Sequence, residues 1–233
     1  MEGKTEPIII SLGGSLIVPP FGIDTEFLKK FNKFIRSKIA DGKRRFFIIC
    51  GGGSTTRTYQ AAAKEVLGSN IPSDDLDWLG IHPTRLNAAL LRTIFKDVAY
   101  FRVIKHYDQF DPVDRSVAIM SGWKPGWSTD YCAVIAAEKY GAKTVLNLSN
   151  IDKVYDSDPK KNPNAKPIDK MTWEDYRKIC GDKWEPGANW PFDPIASKRA
   201  HELGIKVFIL NGKDLENVDK ALEGQEFVGT VIS

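Results

Sequence analysis

Two glycine clusters follow apolar runs in the first quarter of the sequence. Gly13-Gly14-Ser15 follows the run at residues 7–12, and Gly51-Gly52-Gly53 follows the run at residues 45–50. Glycine leaves backbone N–H groups bare, so that they can approach a phosphate. Open α/β sheets bind ligands beyond the carboxyl ends of their strands, and two such turns on neighbouring strands predict a site for a chain of phosphates. A plain strand-to-helix turn also needs glycine, so either turn alone is a weak signal.

The clusters match neither the dinucleotide fingerprint GxGxxG nor the P-loop pattern GxxxxGK[ST], which excludes ordinary Rossmann dehydrogenases and P-loop kinases. Arg57 follows four residues after Gly53 and could hold a phosphate bidentately beside a helix N-terminus; a solvated surface arginine is the alternative. Asp77, Arg85 and Asn87 lie along the next predicted helix, where surface salt links would explain them almost as well.

Two later segments carry further polar groups. In GWKPGWSTD, residues 122–130, Asp130 could orient a magnesium ion or cationic donors, while Ser128 and Thr129 could simply cap the following helix. In NIDKVYDSDP, residues 150–159, the aromatic Tyr155 and nearby backbone groups could grip a nucleobase. An ordinary solvated loop is the alternative for this second segment.

Short β-branched runs alternate with segments of helical period, which is typical of strands joined by helices in a mostly parallel sheet. Ser73 is the predicted cap of the third helix. The residue composition changes after Ser149 to turns and prolines, which suggests a coarse boundary between two lobes. Strands are predicted at residues 7–12, 45–50, 97–104, 116–121, 144–148, 206–210 and 229–232, and helices at 25–40, 56–67, 73–95, 128–140, 172–179, 193–203 and 215–222.

Composition narrows the class of protein. The 233 residues include 42% hydrophobic and 27% charged side chains, an ordinary globular composition. A net charge of +3 is too small to suggest nucleic acid as a partner, although small anions suit it. Three scattered cysteines, no signal-peptide pattern and no run long enough to span a bilayer predict a reducing, cytoplasmic setting without a membrane partner. Three dispersed histidines argue against a histidine-built metal site, so any metal should arrive with a nucleotide.

In this order, the motifs resemble the amino acid kinase family, and within it most closely the UMP kinases of the archaeal type. The resemblance runs from about Ile8 to Ile232. The segment from Asp77 to Leu91 and the STD motif favour UMP kinase within the superfamily. The motifs are LGGSLIVP, CGGGSTTRTY, DWLGIHPTRLNAALL, SGWKPGWSTD, NIDKVYDSDPKKNPNAKPIDKM and FDPIASKRAHELGIKVFIL.

The resemblance implies a three-layer αβα sandwich around a mostly parallel sheet of about eight strands, forming a single amino acid kinase domain over residues 1–233. An N-lobe at about 7–149 would bind the acceptor nucleotide, and a C-lobe at about 150–233 would bind ATP. It also implies transfer of the γ-phosphoryl of Mg-ATP to UMP, with Mg²⁺ carried by ATP, by a hexamer built as a trimer of dimers.

On this resemblance, Gly13, Gly14 and Ser15 cradle the transferring phosphoryl group. The UMP phosphate is held by Gly52, Gly53 and Arg57, its ribose by Asp77, and its uracil and phosphate by Thr129. Asn150, Tyr155 and Asp158 line the ATP side, and Asp130 and Asp193 order the magnesium and the basic groups. An acceptor phosphate is already ionised near neutral pH, so catalysis needs positioning and charge neutralisation rather than a base.

The sequence departs from the family pattern at three positions. Ser11 stands in the first strand where many members have a lysine before the glycines. Ser54 follows the triple glycine where archaeal-type relatives often have lysine, which makes Lys124 or Lys198 the hypothesis for the missing cation. Lys153 replaces the usual glycine after Asp152, and would either reshape the ATP-side turn or contact a phosphate.

Three alternatives remain open. The first is another kinase of the superfamily, acting on a small acid or on isopentenyl phosphate; the histidine usual after the first glycine loops of the latter is missing between Gly51 and Leu79. The second is a non-catalytic nucleotide- or anion-binding relative, which the missing lysines would suit. The third is an α/β domain whose glycines merely turn the chain. Several tryptophans are expected to flank the site or its cover, mostly in packing or subunit contacts: Trp123, Trp127, Trp184 and Trp190.

Overall fold

The computed structural model describes residues 6–68, 70–159, 161–181 and 190–233. The strands are β1 (Glu6–Leu12), β2 (Arg44–Cys50), β3 (Val117–Met120), β4 (Thr144–Ser149), β5 (Val154–Tyr155), β6 (Pro167–Ile168), β7 (Lys170–Met171), β8 (Lys206–Asn211) and β9 (Thr230–Ile232). The helices are α1 (Gly14–Ile17), α2 (Thr25–Ile39), α3 (Gly53–Leu67), α4 (Ser73–Ile94), α5 (Thr129–Tyr140), α6 (Trp173–Cys180), α7 (Pro194–Glu202) and α8 (Leu215–Leu222).

Seven strands form the central sheet, in the order β3-β2-β1-β4-β8-β9-β7. The first five are parallel to one another, β9 is antiparallel to β8, and β7 is parallel to β9. A separate antiparallel pair joins β5 to β6. The described chain therefore has the predicted mostly parallel sheet, with seven strands where about eight were expected.

Alternate residues of the inner strands point to opposite faces of this sheet, as the two-residue period of a strand requires. Ile9 and Phe47 belong to a buried cluster with residues of α5, α6 and α7. Ile10 and Ile48 belong to a second cluster, which includes residues of α2, α4 and α8. Both faces are thus covered by helices, and the predicted αβα sandwich is confirmed.

Two local predictions were wrong. Residues 97–104 form two isolated bridges, Ala99 to Val117 and Ile104 to Met120, instead of a strand. The two bridges are five residues apart in this segment but only three residues apart in β3. The chain must therefore bulge outward between the bridges, and no continuous ladder of hydrogen bonds can form. Ser73 is not a cap: Pro72 occupies the N-cap position, and Ser73 is already helical.

The other predicted elements agree with the structure to within one residue at each end, except that α3 begins at Gly53 rather than at residue 56. The short elements α1, β5, β6 and β7 were not predicted, because four residues or fewer carry no periodicity that can be read. Within the ranges described above, every helix is too short or too polar to cross a membrane.

Candidate active site

The two predicted glycine turns touch each other. In the parallel register Leu12 lies beside Cys50, and the Gly51 N–H donates to the Leu12 carbonyl at 2.9 Å. A Cβ added at Gly14 would fall 2.6 Å from the Gly52 nitrogen and closer still to that of Gly53. Gly53 itself has a φ of +70°, a conformation that side chains disfavour. The site therefore begins with two strips of bare backbone in direct contact.

A further glycine, Gly212, which sequence reasoning missed, packs against the end of β4 and against Leu16 of α1. The Gly212 N–H donates to the Ser149 carbonyl at 2.8 Å, and the Gly13 N–H donates to the Leu148 carbonyl at 2.8 Å. A Cβ on Gly212 would lie 2.9 Å from the Leu148 Cβ and would overlap the Leu16 side chain. The signal for it was present, since Gly212 directly follows β8 as the first glycines follow β1 and β2.

Helix α4 supplies the side chains that hold two loops, Gly51–Gly53 and residues 122–127. All four bonds go to backbone atoms, so the salt links considered from the sequence are not what these residues make. The bonds join Asn87 Nδ2 to Gly51 O (2.8 Å), Thr84 Oγ1 to Gly122 N (2.9 Å), Arg85 Nη2 to Trp123 O (2.8 Å) and Asp77 Oδ2 to Gly126 N (2.8 Å). Thr84 was not singled out from the sequence, because a backbone partner leaves no pattern in it.

Asp130 and Asp193 lie next to each other, and Asp130 contacts Ser11, two residues before Gly13. Asp130 Oδ1 accepts hydrogen bonds from the Ser11 hydroxyl at 2.8 Å and from Asn147 Nδ2 at 3.2 Å, and Oδ2 accepts from the Asp193 backbone N–H at 3.2 Å. Burial, with the neighbouring Asp193 charge, raises the pKa of Asp130 to about 7, although the Ser11 hydrogen bond opposes the shift. Burial also raises the pKa of Asp193, although hydrogen bonds from N–H groups at the start of α7 oppose this shift.

Asp193 caps α7, because its side chain accepts from the Ala196 N–H at 2.7 Å. The cap fixes the Asp193 carboxylate at the N-terminus of α7. The Asp193 backbone N–H, which donates to Asp130, fixes the Asp130 carboxylate in turn. Ser11 occupies the position where the resemblance called for lysine, and its hydroxyl donates to Asp130 without bringing a positive charge. The two carboxylates are thus close together, and Asp130 is held by neutral donors.

The other acceptor-side candidates, Arg57 and Thr129, lie on α3 and α5. Arg57 is exposed on the second turn of α3, one turn later than the sequence suggested. Thr129 is the first residue of α5, and Ser128 caps that helix by accepting from the Tyr131 N–H at 3.0 Å. The capping interpretation is therefore correct for Ser128.

The two candidate cations differ in their surroundings. Lys124 Nζ lies 4.2 Å from the ring centre of Trp123 and 5.3 Å from that of Trp127, so cation–π contacts hold it against the 122–127 loop. Lys198 is exposed on α7, the helix that Asp193 caps. The Trp pair packs edge to face at 4.6 Å, as expected for aromatic packing; Trp184 lies outside the described residues.

The ATP-side candidates follow β4. Asn150 is exposed directly after the strand, Tyr155 is half-buried in β5, and the Asp158 carbonyl accepts from the Lys161 and Asn162 N–H groups. Lys153 forms an ion pair with Asp169, which directs its charge toward the β6–β7 connection. Ser54 stands where archaeal-type relatives often have lysine. Its hydroxyl donates to the Pro19 carbonyl at 2.8 Å and connects α3 to the loop after α1.

Comparison with known proteins identifies the family to which this chain belongs. The sequence profile of the amino acid kinase family matches residues 6–211. The chain belongs to the amino acid kinase family. It is 32% identical over 228 residues to the uridylate kinase of Methanoculleus marisnigri, covering 97% of this chain and 94% of the relative. It is 33% identical to the uridylate kinase of Thermococcus kodakarensis, covering 97% and 98% of the two chains.

Solved structures agree with these relatives. The crystal structure of uridylate kinase from Archaeoglobus fulgidus superposes with a TM-score of 0.81 at 31% identity, over 97% of this chain and 99% of the other. The sequence prediction of the amino acid kinase family, with archaeal uridylate kinases among the relatives, is confirmed.

The amino acid kinase family implies ATP-dependent phosphoryl transfer, usually with Mg²⁺, and the residues fit an ion that arrives with ATP. Among the described residues, no group of three or more His, Cys, Asp or Glu side chains is arranged to hold a metal by itself. Asp130 and Asp193 nevertheless offer the carboxylate oxygens that Mg²⁺ prefers, and Mg²⁺ usually takes its remaining ligands from phosphates and water.

Proposed function

We propose that this chain is a UMP kinase, an ATP-dependent nucleoside monophosphate kinase that converts ATP and UMP into ADP and UDP. Relatives named uridylate kinase over nearly the full chain support the acceptor. The observation that carries the chemistry is the backbone contact between the Gly13–Gly14 turn and the Gly51–Gly53 turn. Two phosphate-binding turns in contact would bring a donor and an acceptor phosphate within reacting distance.

In this proposal the N-lobe, residues 7–149, binds UMP and the C-lobe, residues 150–233, binds ATP. Gly52, Gly53 and Arg57 hold the UMP phosphate, Asp77 the ribose, and Thr129 the uracil and phosphate. Asp77 also accepts from the Gly126 N–H, so it sits where α4 meets the loop leading to Thr129. Asn150, Tyr155 and Asp158 line the ATP side.

The phosphoryl group passes in line from the donor phosphate on one turn to the acceptor phosphate on the other. The acceptor phosphate needs no general base, because it is ionised near neutral pH. The N–H groups of Gly14 and Ser15 stabilise the transferring group, and Gly13 completes the cradle by its bare backbone, since its own N–H is bonded to the Leu148 carbonyl. Mg²⁺ bound with ATP would neutralise charge on the phosphates. Asp130 and Asp193 orient the basic groups and the hydrated ion.

The remaining cation comes from Lys124 or Lys198 in this proposal. Lys124 is favoured by its place on the loop that leads to Thr129, where Trp123 and Trp127 restrict its motion. A Lys124→Ala variant with unchanged kcat would eliminate it, and the same measurement on Lys198→Ala would then test the second candidate. We also propose that the enzyme is cytoplasmic and assembles as a hexamer of three dimers, which sedimentation would test.

The deciding experiment is a coupled assay of ADP release from Mg-ATP, with UMP, CMP, dTMP, acetylglutamate and isopentenyl phosphate offered separately. Turnover that is clearly fastest with UMP is expected. Turnover with another acceptor alone would keep the kinase fold and replace the substrate. Binding of ATP without turnover of any acceptor would favour a non-catalytic relative.

A further inference from the structure

The turn that follows β8 lies at the same edge of the sheet as the first phosphate turn. Strands β1, β4 and β8 are parallel neighbours, so their carboxyl ends meet at one edge. The Gly13 N–H donates to the Leu148 carbonyl and the Gly212 N–H donates to the next carbonyl, that of Ser149, both at 2.8 Å. We call residues 211–214 the β8 turn; only the end of β4 separates it from the Gly13–Gly14 turn.

The side chain of Asn211 shapes the β8 turn. Its Oδ1 accepts a hydrogen bond from the Lys213 N–H at 3.0 Å, which is an Asx-turn, and its carbonyl accepts from the Asp214 N–H at 3.2 Å. Its Nδ2 donates to Asp152 Oδ1 at 2.9 Å. Asn211 thus fixes the backbone of Lys213 and connects it to the loop after β4, which carries Asn150.

Lys213 brings a positive charge that no carboxylate of the described chain takes up. The residue is exposed, and it forms no ion pair within the part of the chain that the structure describes, not even with Asp152 or Asp214 beside it. Lys153, on the loop after β4, is paired with Asp169. A polyphosphate bound at this edge of the sheet needs a cation, and Lys213 can supply one without breaking an existing pair.

We propose that Lys213 is a catalytic residue that binds the β-phosphate of ATP and neutralises the leaving group. In the transfer, the bond between the γ-phosphorus and the bridging oxygen breaks, and its electron pair stays on the β-phosphate. A new bond forms between the γ-phosphorus and an oxygen of the UMP phosphate. Negative charge therefore builds on the β-phosphate in the transition state, where a fixed ammonium group stabilises it.

This role is additional to that of Lys124 or Lys198, which the proposed function assigns to the transferring group. The role of Lys213 in the transfer rests on the proposed function. Its contact with the β-phosphate does not, because ADP alone can make it.

Calorimetric titration with ADP and with AMP, at constant free Mg²⁺, measures the β-phosphate contact without turnover. The two ligands differ only by that phosphate. Lys213→Ala should weaken ADP binding about tenfold or more, because a charged hydrogen bond is lost, and should leave AMP binding unchanged. An unchanged affinity for ADP, or an equal loss for AMP, would overturn the proposal.

Lys206→Ala is the matched control. Lys206 is an exposed lysine at the other end of the same strand, so the variant removes the same charge far from the β8 turn. ADP binding should be unaffected by this substitution. An equal weakening in Lys206→Ala and Lys213→Ala would reduce the effect to net charge and would also overturn the contact.

The transfer is measured as the single-turnover rate of UDP formation at saturating ATP and UMP, which excludes product release. Lys213→Ala should lower this rate about tenfold or more, whereas Lys206→Ala should not change it. Weaker ADP binding with an unchanged rate would refute the role in the transition state. ADP binding that depends on Lys213 in a chain that never phosphorylates UMP would contradict the proposed function alone.

Discussion

Asn87 Nδ2 donates to the carbonyl oxygen of Gly51 at 2.8 Å, across 36 positions of sequence. Asn87 is 5% exposed and Gly51 is buried, so this bond fixes the start of the triple-glycine turn from inside the protein. We predict that Asn87→Ala lowers the free energy of unfolding by about 1–3 kcal/mol, because it leaves a buried acceptor unsatisfied. Urea denaturation measures this change, and the KM for UMP should rise with it.

The control for Asn87 is Thr93→Ala. Thr93 lies on the same helix, is exposed, and donates to the Ala89 carbonyl within that helix. Equal effects of the two substitutions on stability and on KM would show that the bond to Gly51 has no special part in shaping the turn.

Gly14 tolerates no side chain. A Cβ there would meet backbone nitrogen atoms of Gly52 and Gly53, which cannot move aside as a flexible side chain could. Gly14→Ala should therefore destabilise the fold by about 1–3 kcal/mol or more and abolish turnover. Gly80→Ala is the matched control, since Gly80 lies in α4 and its Cβ would meet the side chains of Gln60 and Thr56 on α3 at ordinary contact distances of 3.5 Å and 3.6 Å. Replacing a helical glycine should stabilise by up to about 1 kcal/mol, and a destabilised Gly80→Ala would undermine the comparison.

Asp130 should make stability depend on pH. Its pKa rises from an ordinary value of 3.8 to about 7 in the folded chain, so between these values the folded state holds a proton that the unfolded state has released. Its stabilising contribution is complete below the lower pKa and is lost as pH rises through about 7. We predict that the unfolding free energy of the native chain falls from about pH 4 to about pH 7 more steeply than that of Asp130→Asn.

Asp108→Asn, an exposed carboxylate replaced in the same way, is the control for that slope. A residual slope in Asp130→Asn is expected from Asp193, whose pKa is also raised. Identical slopes for the native chain and Asp130→Asn would disprove the titration of Asp130 in this range.

Arg57 should act on the acceptor and not on ATP. If its guanidinium holds the UMP phosphate, Arg57→Ala removes a charged hydrogen bond, which is worth about 1.5–3 kcal/mol. The KM for UMP should then rise about 10- to 100-fold with the KM for ATP unchanged. Lys64→Ala, an exposed cation on the same helix, controls for general charge effects. A parallel rise in both KM values would place Arg57 outside the acceptor site.

The sequence predicted the parts of the site that local patterns determine. Both turns could be located because each follows a buried apolar run and begins with glycine. The turns meet because the two runs form neighbouring parallel strands, in which Leu12 lies beside Cys50. The contacts of Thr84 and Asn87 could not be predicted, because their partners are backbone atoms distant in sequence. Residues 97–104 were mistaken for a strand because their apolar residues satisfy a strand pattern, whereas the unequal spacing of the two bridges depends on β3.

The contact between the glycine turns also has a consequence for how this protein can vary. Gly14 and Gly51 each lie where a Cβ of the other would have to go, since an added Cβ on Gly51 would fall 3.0 Å from the Gly14 Cα. Neither position can accept a larger residue after a compensating change at the other, because both are already the smallest residue. In a library that randomises the two codons together, the surviving clones should keep glycine at both. Substitutions that accumulate in this enzyme over time should therefore fall at other positions and leave Gly14 and Gly51 unchanged.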